Sequence, residues 1–349
     1  MMKTGLSMLS AVLLLVFLSA CQRRENNLGE QRGQFVALDS SQAAQHIASD
    51  PEEGFFERVN AVDMGLQLRQ CFPDSLLRRD ILPRYRLALR RDVSSFSEEE
   101  AALLLAQLRI IRQWAVDFGA ADLFPDTLKL IKSRGSLYGE GAFFTRGKAI
   151  IVPEDALQRP NRQELRRTLL HELFHIYSRR HPKKREALYG ILGFEPLNAA
   201  VRLPDSIAGQ VLLNPDGLAD HFAVKLENGA DSVLAYPLLR ARPDCYREDQ
   251  PGFFAYIDFQ LYPLTLTPGG EYTLALDAAG NSPITYYELP GFFDRIGDNT
   301  SYIIHPDEIL ADNLALLFLR AYEPEQLAET VFSARGEQIL KDMRAIITR

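Results

Sequence analysis

Two histidines four residues apart, His171 and His175, enclose Glu172 within the apolar run Leu169-Leu170-His171-Glu172-Leu173-Phe174-His175-Ile176. Residues at this spacing share one face of a helix, so the segment must be helical for both imidazoles to reach a single ion. The leucines and phenylalanine among them require the same helix to be buried. Its limits are readable: Asn161 with Glu164 three residues on suits an N-terminus, and Pro182 drives His181 out of helical geometry. The spacing therefore predicts a helix over residues 162–180 with a tetrahedral site at its middle and a carboxylate beside the water of that site.

The rest of the chain gives this helix an α+β setting. Apolar residues at helical intervals run from Phe55 to Leu68. Ser97 with Glu100 opens a second helix, whose stripe of Leu103, Leu104, Leu108, Ile111 and Trp114 must pack on something. Leu128 to Ile131, Ala142 to Thr145 and Ala149 to Val152 read as a small antiparallel sheet separated by glycine-containing turns. From Val201 to Pro290 the pattern changes to strands around a turn at Asn228-Gly229, and from Pro306 it returns to helix. These readings divide the chain into a signal (1–20), a tether (21–50), a helical region with the small sheet and the histidine helix (51–200), a β-rich lobe (201–290) and a C-terminal helical region (291–349).

The first twenty residues carry Lys3 and an apolar run from Leu9 to Leu18, too short to span a bilayer that needs about 20 residues. Leu18-Ser19-Ala20-Cys21 resembles the lipobox of bacterial lipoproteins, which implies acylation of Cys21. Gln22 follows where an aspartate would retain such a protein in the inner membrane, so the expected place is the outer membrane facing the periplasm. A formal net charge of −7 gives no basis for expecting nucleic acid as a partner. In an oxidising compartment Cys71 and Cys245 can either pair or remain buried thiols.

A catalytic zinc needs a third protein ligand and an open position. The His-Glu-x-x-His run resembles the zincin metallopeptidases, whose core sets this helix under an edge strand that binds extended substrate; Ala149 to Val152 is the expected edge. Glu308, in the first turn of a helix opened by Pro306, is followed four residues later by Asp312. That interval resembles the gluzincin branch, in which a glutamate ligand is accompanied by an aspartate orienting a zinc-bound histidine. Asp307 stands where that branch usually has asparagine, and well over a hundred residues separate the two motifs. The alternative third ligand is His181, since His171 to His181 resembles the metzincin signature with Ser178 in place of its glycine. Metzincins also require a methionine turn, and the downstream Met343 falls in a helical stretch. The runs Asn214-Pro215-Asp216-Gly217, Gly297-Asp298-Asn299-Thr300 and His305 to Asn313 together resemble bacterial lipoproteins of unassigned substrate, without supplying a role.

The expected site is thus Zn2+ on His171, His175 and Glu308, with Asp312 behind them and Glu172 as general base. His305, then Tyr302 and Tyr287, are the expected donors to the charge growing on a scissile carbonyl. A peptide or protein is the expected substrate, and a hydrolase of another amide uses the same chemistry. The competing reading is a metal-stabilised lipoprotein that binds or scaffolds without catalysis.

Overall fold

The computed structural model describes residues 34–50, 52–158, 160–218, 221–228, 231–250, 252–285, 287 and 291–348. The signal, Cys21 and the first part of the expected tether lie outside these residues. The later part of that tether does not behave as one: Gln34–Ala37 forms strand β1, and Ser40–Ile47 forms helix α1 behind a capping box made by Asp39 and Gln42. The brief apolar patch Phe35 to Leu38 is enough to commit this polar stretch, because it pairs with a buried strand.

Helix α2 (Arg78–Asp92), strand β2 (Val93–Ser94) and helix α3 (Glu98–Phe118) follow. Ser97 caps α3 with Glu100 as its reciprocal partner, and Gly119 ends it in the left-handed conformation. The chain then enters strands β3 (Thr127–Ser133), β4 (Phe144–Arg146) and β5 (Ala149–Pro153). The sheet runs β1-β3-β5-β4, with β2 against β3. The α+β expectation is borne out, but the small sheet is not antiparallel throughout. β1, β3 and β5 are parallel, and only β2 and β4 run against them. The cause is the connection 134–143, too long for a hairpin, which carries the chain past one strand position. The tight turn at Gly147 (φ 56°) then folds β5 back between β4 and β3. It follows that Ala149 to Val152 is interior, and the edge beside the histidine helix is β4.

Alternation along this sheet feeds two cores. Leu128, Leu130, Ile150 and Val152 face α3 and the histidine-bearing helix α4 (Arg162–Arg180), whereas Ile131, Ala149 and Ile151 face α1, α2 and the Phe55-Phe56 pair. A sheet covered on both sides accounts for strands that read as near-continuous apolar runs. Helix α5 (Pro182–Ile191) turns away from α4 at Pro182, and helices α6 (Pro306–Tyr322) and α7 (Ala334–Ile347) close the first core, α6 lying against α4 over a long contact. Both α4 and α6 are buried around most of their circumference.

A second sheet is built by β6 (Phe194–Pro196), β7 (Val201–Arg202), β8 (Phe222–Asn228), β9 (Asp231–Ala241), β10 (Ile257–Leu266) and β11 (Tyr272–Leu274), in the order β6-β8-β9-β10-β11-β7. It is antiparallel except where β11 meets β7. Cys71 and Cys245 form a disulfide across 174 residues, tying the β9–β10 connection to the N-terminal helices. No helix among the described residues is long and apolar enough to cross a membrane.

Candidate metal centre

His171 and His175 emerge on one face of α4 and meet Glu308, which projects from the first turn of α6. His171 Nε2 lies 3.0 Å and His175 Nε2 3.5 Å from Glu308 Oε2. One nitrogen from each ring and one carboxylate oxygen lie within 4.8 Å of one another, a group that can hold a metal ion. Pro306 at the first position of α6 and His305 as its N-cap set the turn that delivers Glu308.

Each histidine is gripped from behind by a carboxylate. His171 Nδ1 lies 2.9 Å from Asp312 Oδ1, and His175 Nδ1 lies 2.7 Å from Asp307 Oδ2. Binding Nδ1 in this way fixes the ring orientation and leaves Nε2 for the ion. The carboxylates are held in turn: Thr300 Oγ1 donates to Asp312, while Ser178 Oγ and Tyr189 OH donate to Asp307 at 2.6 and 2.9 Å. Ser178 therefore has a definite task on α4, to steady the partner of His175.

The loop Asn214 to Gly217 supplies the remaining wall. Asn214 Nδ2 donates to Glu308 Oε1 at 2.6 Å, leaving the other carboxylate oxygen for the histidine side. Asp216 Oδ1 accepts from the amide and hydroxyl of Thr145 on β4, both at 2.6 Å, and a carboxylate oxygen of Asp216 comes within 4.8 Å of Glu172 and His175. Arg179, from the last turn of α4, completes the brace by donating to Thr145, to the Gly147 carbonyl and to Glu53. Gly217 is required by contact rather than dihedral angle, since a Cβ there would stand 2.6 Å from the His305 ring.

Electrostatics follow from crowding five carboxyls and two imidazoles out of water. Burial opposes charge on His171, yet its hydrogen bonds to Asp312 and Glu308 push it up to about 10. Burial likewise opposes charge on Glu308, but the two histidines hold its carboxyl well below the usual range. Glu172 goes the other way: burial, reinforced by Asp216, pushes it up to about 8. Within the His-Glu-x-x-His run, the buried His175 Nε2 and Glu172 Oε2 have no hydrogen-bond partner among the described residues. Groups this buried are normally satisfied, and both belong to the side chains gathered here. Two imidazole nitrogens, a carboxylate and these orphaned atoms fit a cation bound between them.

The site opens onto a cleft of about 830 Å³ lined by His171, Glu172, Glu308, Asp216, Tyr302 and Phe254. Tyr302 stacks over His171 with ring centroids 6.3 Å apart. His305 does not enter this cleft. Its extended backbone turns the ring so that Nδ1 accepts from the Asp307 amide at 3.1 Å, and it lines a separate cavity of about 240 Å³ behind the Asn214–Gly217 loop. The expectation of His305 as a donor to a reacting carbonyl is therefore corrected to a helix cap. Tyr287, exposed and stacked on Phe293, is also outside the cleft lining. His181 ends α4 with its ring against Tyr177, apart from the metal-competent group.

Asp307, Asn214 and Asp216 have no expected role from the amino-acid sequence, though each stands in one of the runs Asn214 to Gly217 and His305 to Asn313. Comparisons of the chain with protein-family models, with curated proteins and with solved structures return no match.

Proposed function

We propose that the protein is a zinc-dependent peptidase of the zincin type, with His171, His175 and Glu308 as ligands and Glu172 as general base. The observation that carries this reading is the buried carboxylate oxygen of Glu172, without a hydrogen-bond partner among the described residues, next to a set of three protein donors. A purely structural ion is normally enclosed by four ligands and has no use for a base. Two imidazoles and one carboxylate suit zinc among the common divalent ions.

Zinc bound there supplies a Lewis acid and lowers the pKa of a water toward about 7. Glu172 accepts the proton of the attacking water and delivers it to the departing amine. Tyr302, on the cleft wall, donates to the carbonyl oxygen as charge develops there. Because Asp216 already takes the outward Thr145 amide of β4, the main-chain groups offered to an extended peptide are those of Gly141 to Phe143, which lead into β4 along the cleft.

The test is to load the purified chain with zinc and follow cleavage of a peptide library before and after Glu172→Gln. The reading predicts one zinc per chain in both proteins and cleavage by the wild type alone. Stoichiometric zinc with no cleavage by either would favour the non-catalytic module.

A further inference from the structure

Helix α2 holds six arginines in 15 residues, in a chain whose net charge is −7. Two of them are spent inside the fold: Arg78 donates to the carbonyls of Val59 and Phe56, and Arg86 lies over the Phe56 ring at 4.6 Å. The other four, Arg79, Arg84, Arg90 and Arg91, are exposed, and among the described residues their side chains make no hydrogen bond or ion pair. Asp92 is occupied by Ser133 and the Ser136 amide, so Asp80 is the acid left on the outer face of the helix, and among the described residues it makes no ion pair.

Their arrangement is not that of a merely solvated helix. Arg84, Leu87 and Arg91 follow one another at three and four residues along a single stripe, flanked by Pro83 and Arg90. Leu77 and Leu87 are 47% and 45% exposed among these guanidinium groups. Arg84 and Arg91 also line a groove of about 440 Å³ whose walls include Leu68, Leu87 and Leu137. Guanidinium pairs over apolar walls match a phosphodiester headgroup with its acyl edge, because the planar fork binds phosphate oxygens bidentately.

We infer that the outer face of α2 docks on a bilayer rich in anionic phospholipid, with headgroup phosphates on Arg79, Arg84, Arg90 and Arg91 and the exposed leucines at the interface. The path of the chain supports this occupant. The 33 residues before Gln34, which include the expected anchor at Cys21, enter the fold at β1. β1 and β2 lie along the same edge of β3, α2 runs directly into β2, and α1 packs on α2. A membrane holding the N-terminal segment thus meets this edge of the molecule. The docking is independent of whether the metal centre is catalytic.

The experiment is co-sedimentation of the full chain with vesicles of phosphatidylcholine alone and of phosphatidylcholine with phosphatidylglycerol. The N-terminal apolar segment contributes equally to both, and the basic residues before Gln34 are common to every variant, so the change on substitution reads the arginine face. Each arginine near an anionic surface contributes about 1 kcal/mol, so substituting all four by glutamine should lower the phosphatidylglycerol-dependent partitioning at least a hundred-fold. Added salt should weaken the wild type similarly. A control with Arg109, Lys148, Lys183 and Lys341 changed to glutamine carries the same net charge and should keep most of the binding. Equal losses in the two variants would reduce the effect to net charge and overturn the proposal. So would wild-type binding indifferent to phosphatidylglycerol, or binding of a DNA duplex in preference to vesicles.

Discussion

Asp307 Oδ2 lies 2.7 Å from His175 Nδ1, and it does for the second histidine what Asp312 does for the first. Both carboxylates come from α6, on either side of Glu308, so one helix supplies the third donor and both ring clamps. Replacing either aspartate by alanine should lower zinc affinity about 10- to 100-fold, read by competition with a chromophoric chelator. Asp307→Ala should be the more severe, since it also frees Ser178 and Tyr189. Unchanged affinity in both variants would show that the clamps do not serve the ion.

Asn214 reaches Glu308 from the β-rich lobe at 2.6 Å. Asn214→Ala leaves a buried carboxylate oxygen without its donor, a loss of about 1–3 kcal/mol, so the metal-free protein should unfold at lower denaturant concentration. An unaltered midpoint would mean that another donor fills the gap. Gly217→Ala should also destabilise, through the collision with the His305 ring.

Asp63, fully buried, accepts from the Leu213 amide and from Gln67, and burial pushes its carboxyl up to about 6. A folded value above the unfolded one means that the native state holds the extra proton between roughly pH 4 and 6. The stability this group contributes is fully present below pH 4 and is lost as pH rises through 6, by about 3 kcal/mol in all at 1.36 kcal/mol per pKa unit. Asp63→Asn keeps an oxygen for Leu213 and removes the ionisation. Its unfolding free energy relative to wild type should therefore climb from pH 4 to 6.5 and then level off. A difference that stays constant with pH would contradict the assignment.

The Cys71–Cys245 bond closes a loop of 174 residues. Cross-links of that span stabilise by about 2–5 kcal/mol, chiefly through the unfolded chain. Changing both cysteines to alanine should lower the denaturation midpoint accordingly, and reducing agent should shift the wild type but not the variant.

Local signals carried much of this structure. The helix around His171 was legible because its caps, its proline stop and its apolar residues all agreed, and Ser97 with Glu100 marked α3 for the same reason. Glu308 and Asp312 were legible only through the resemblance their four-residue interval carries, together with the helix start at Pro306. What failed was non-local. Nothing within residues 34–38 announces a parallel partner 93 positions away at Thr127, so polarity suggested a tether. The β4–β5 order depends on a crossover whose path the turns do not encode. His305 lay at a helix entry and could cap or catalyse; only the backbone direction decides between them. Asp216 and Asn214 were invisible as site residues because a loop from another sheet carries them in.

One ion is held by residues from α4 and α6 together if the proposed function is right. Metal content after equilibrium dialysis against limiting free zinc, compared across wild type, Glu308→Ala and His181→Ala, tests it most directly. One zinc per chain is expected in wild type and in His181→Ala, with a sharp loss in Glu308→Ala. Full occupancy in Glu308→Ala, with loss in His181→Ala instead, would contradict it.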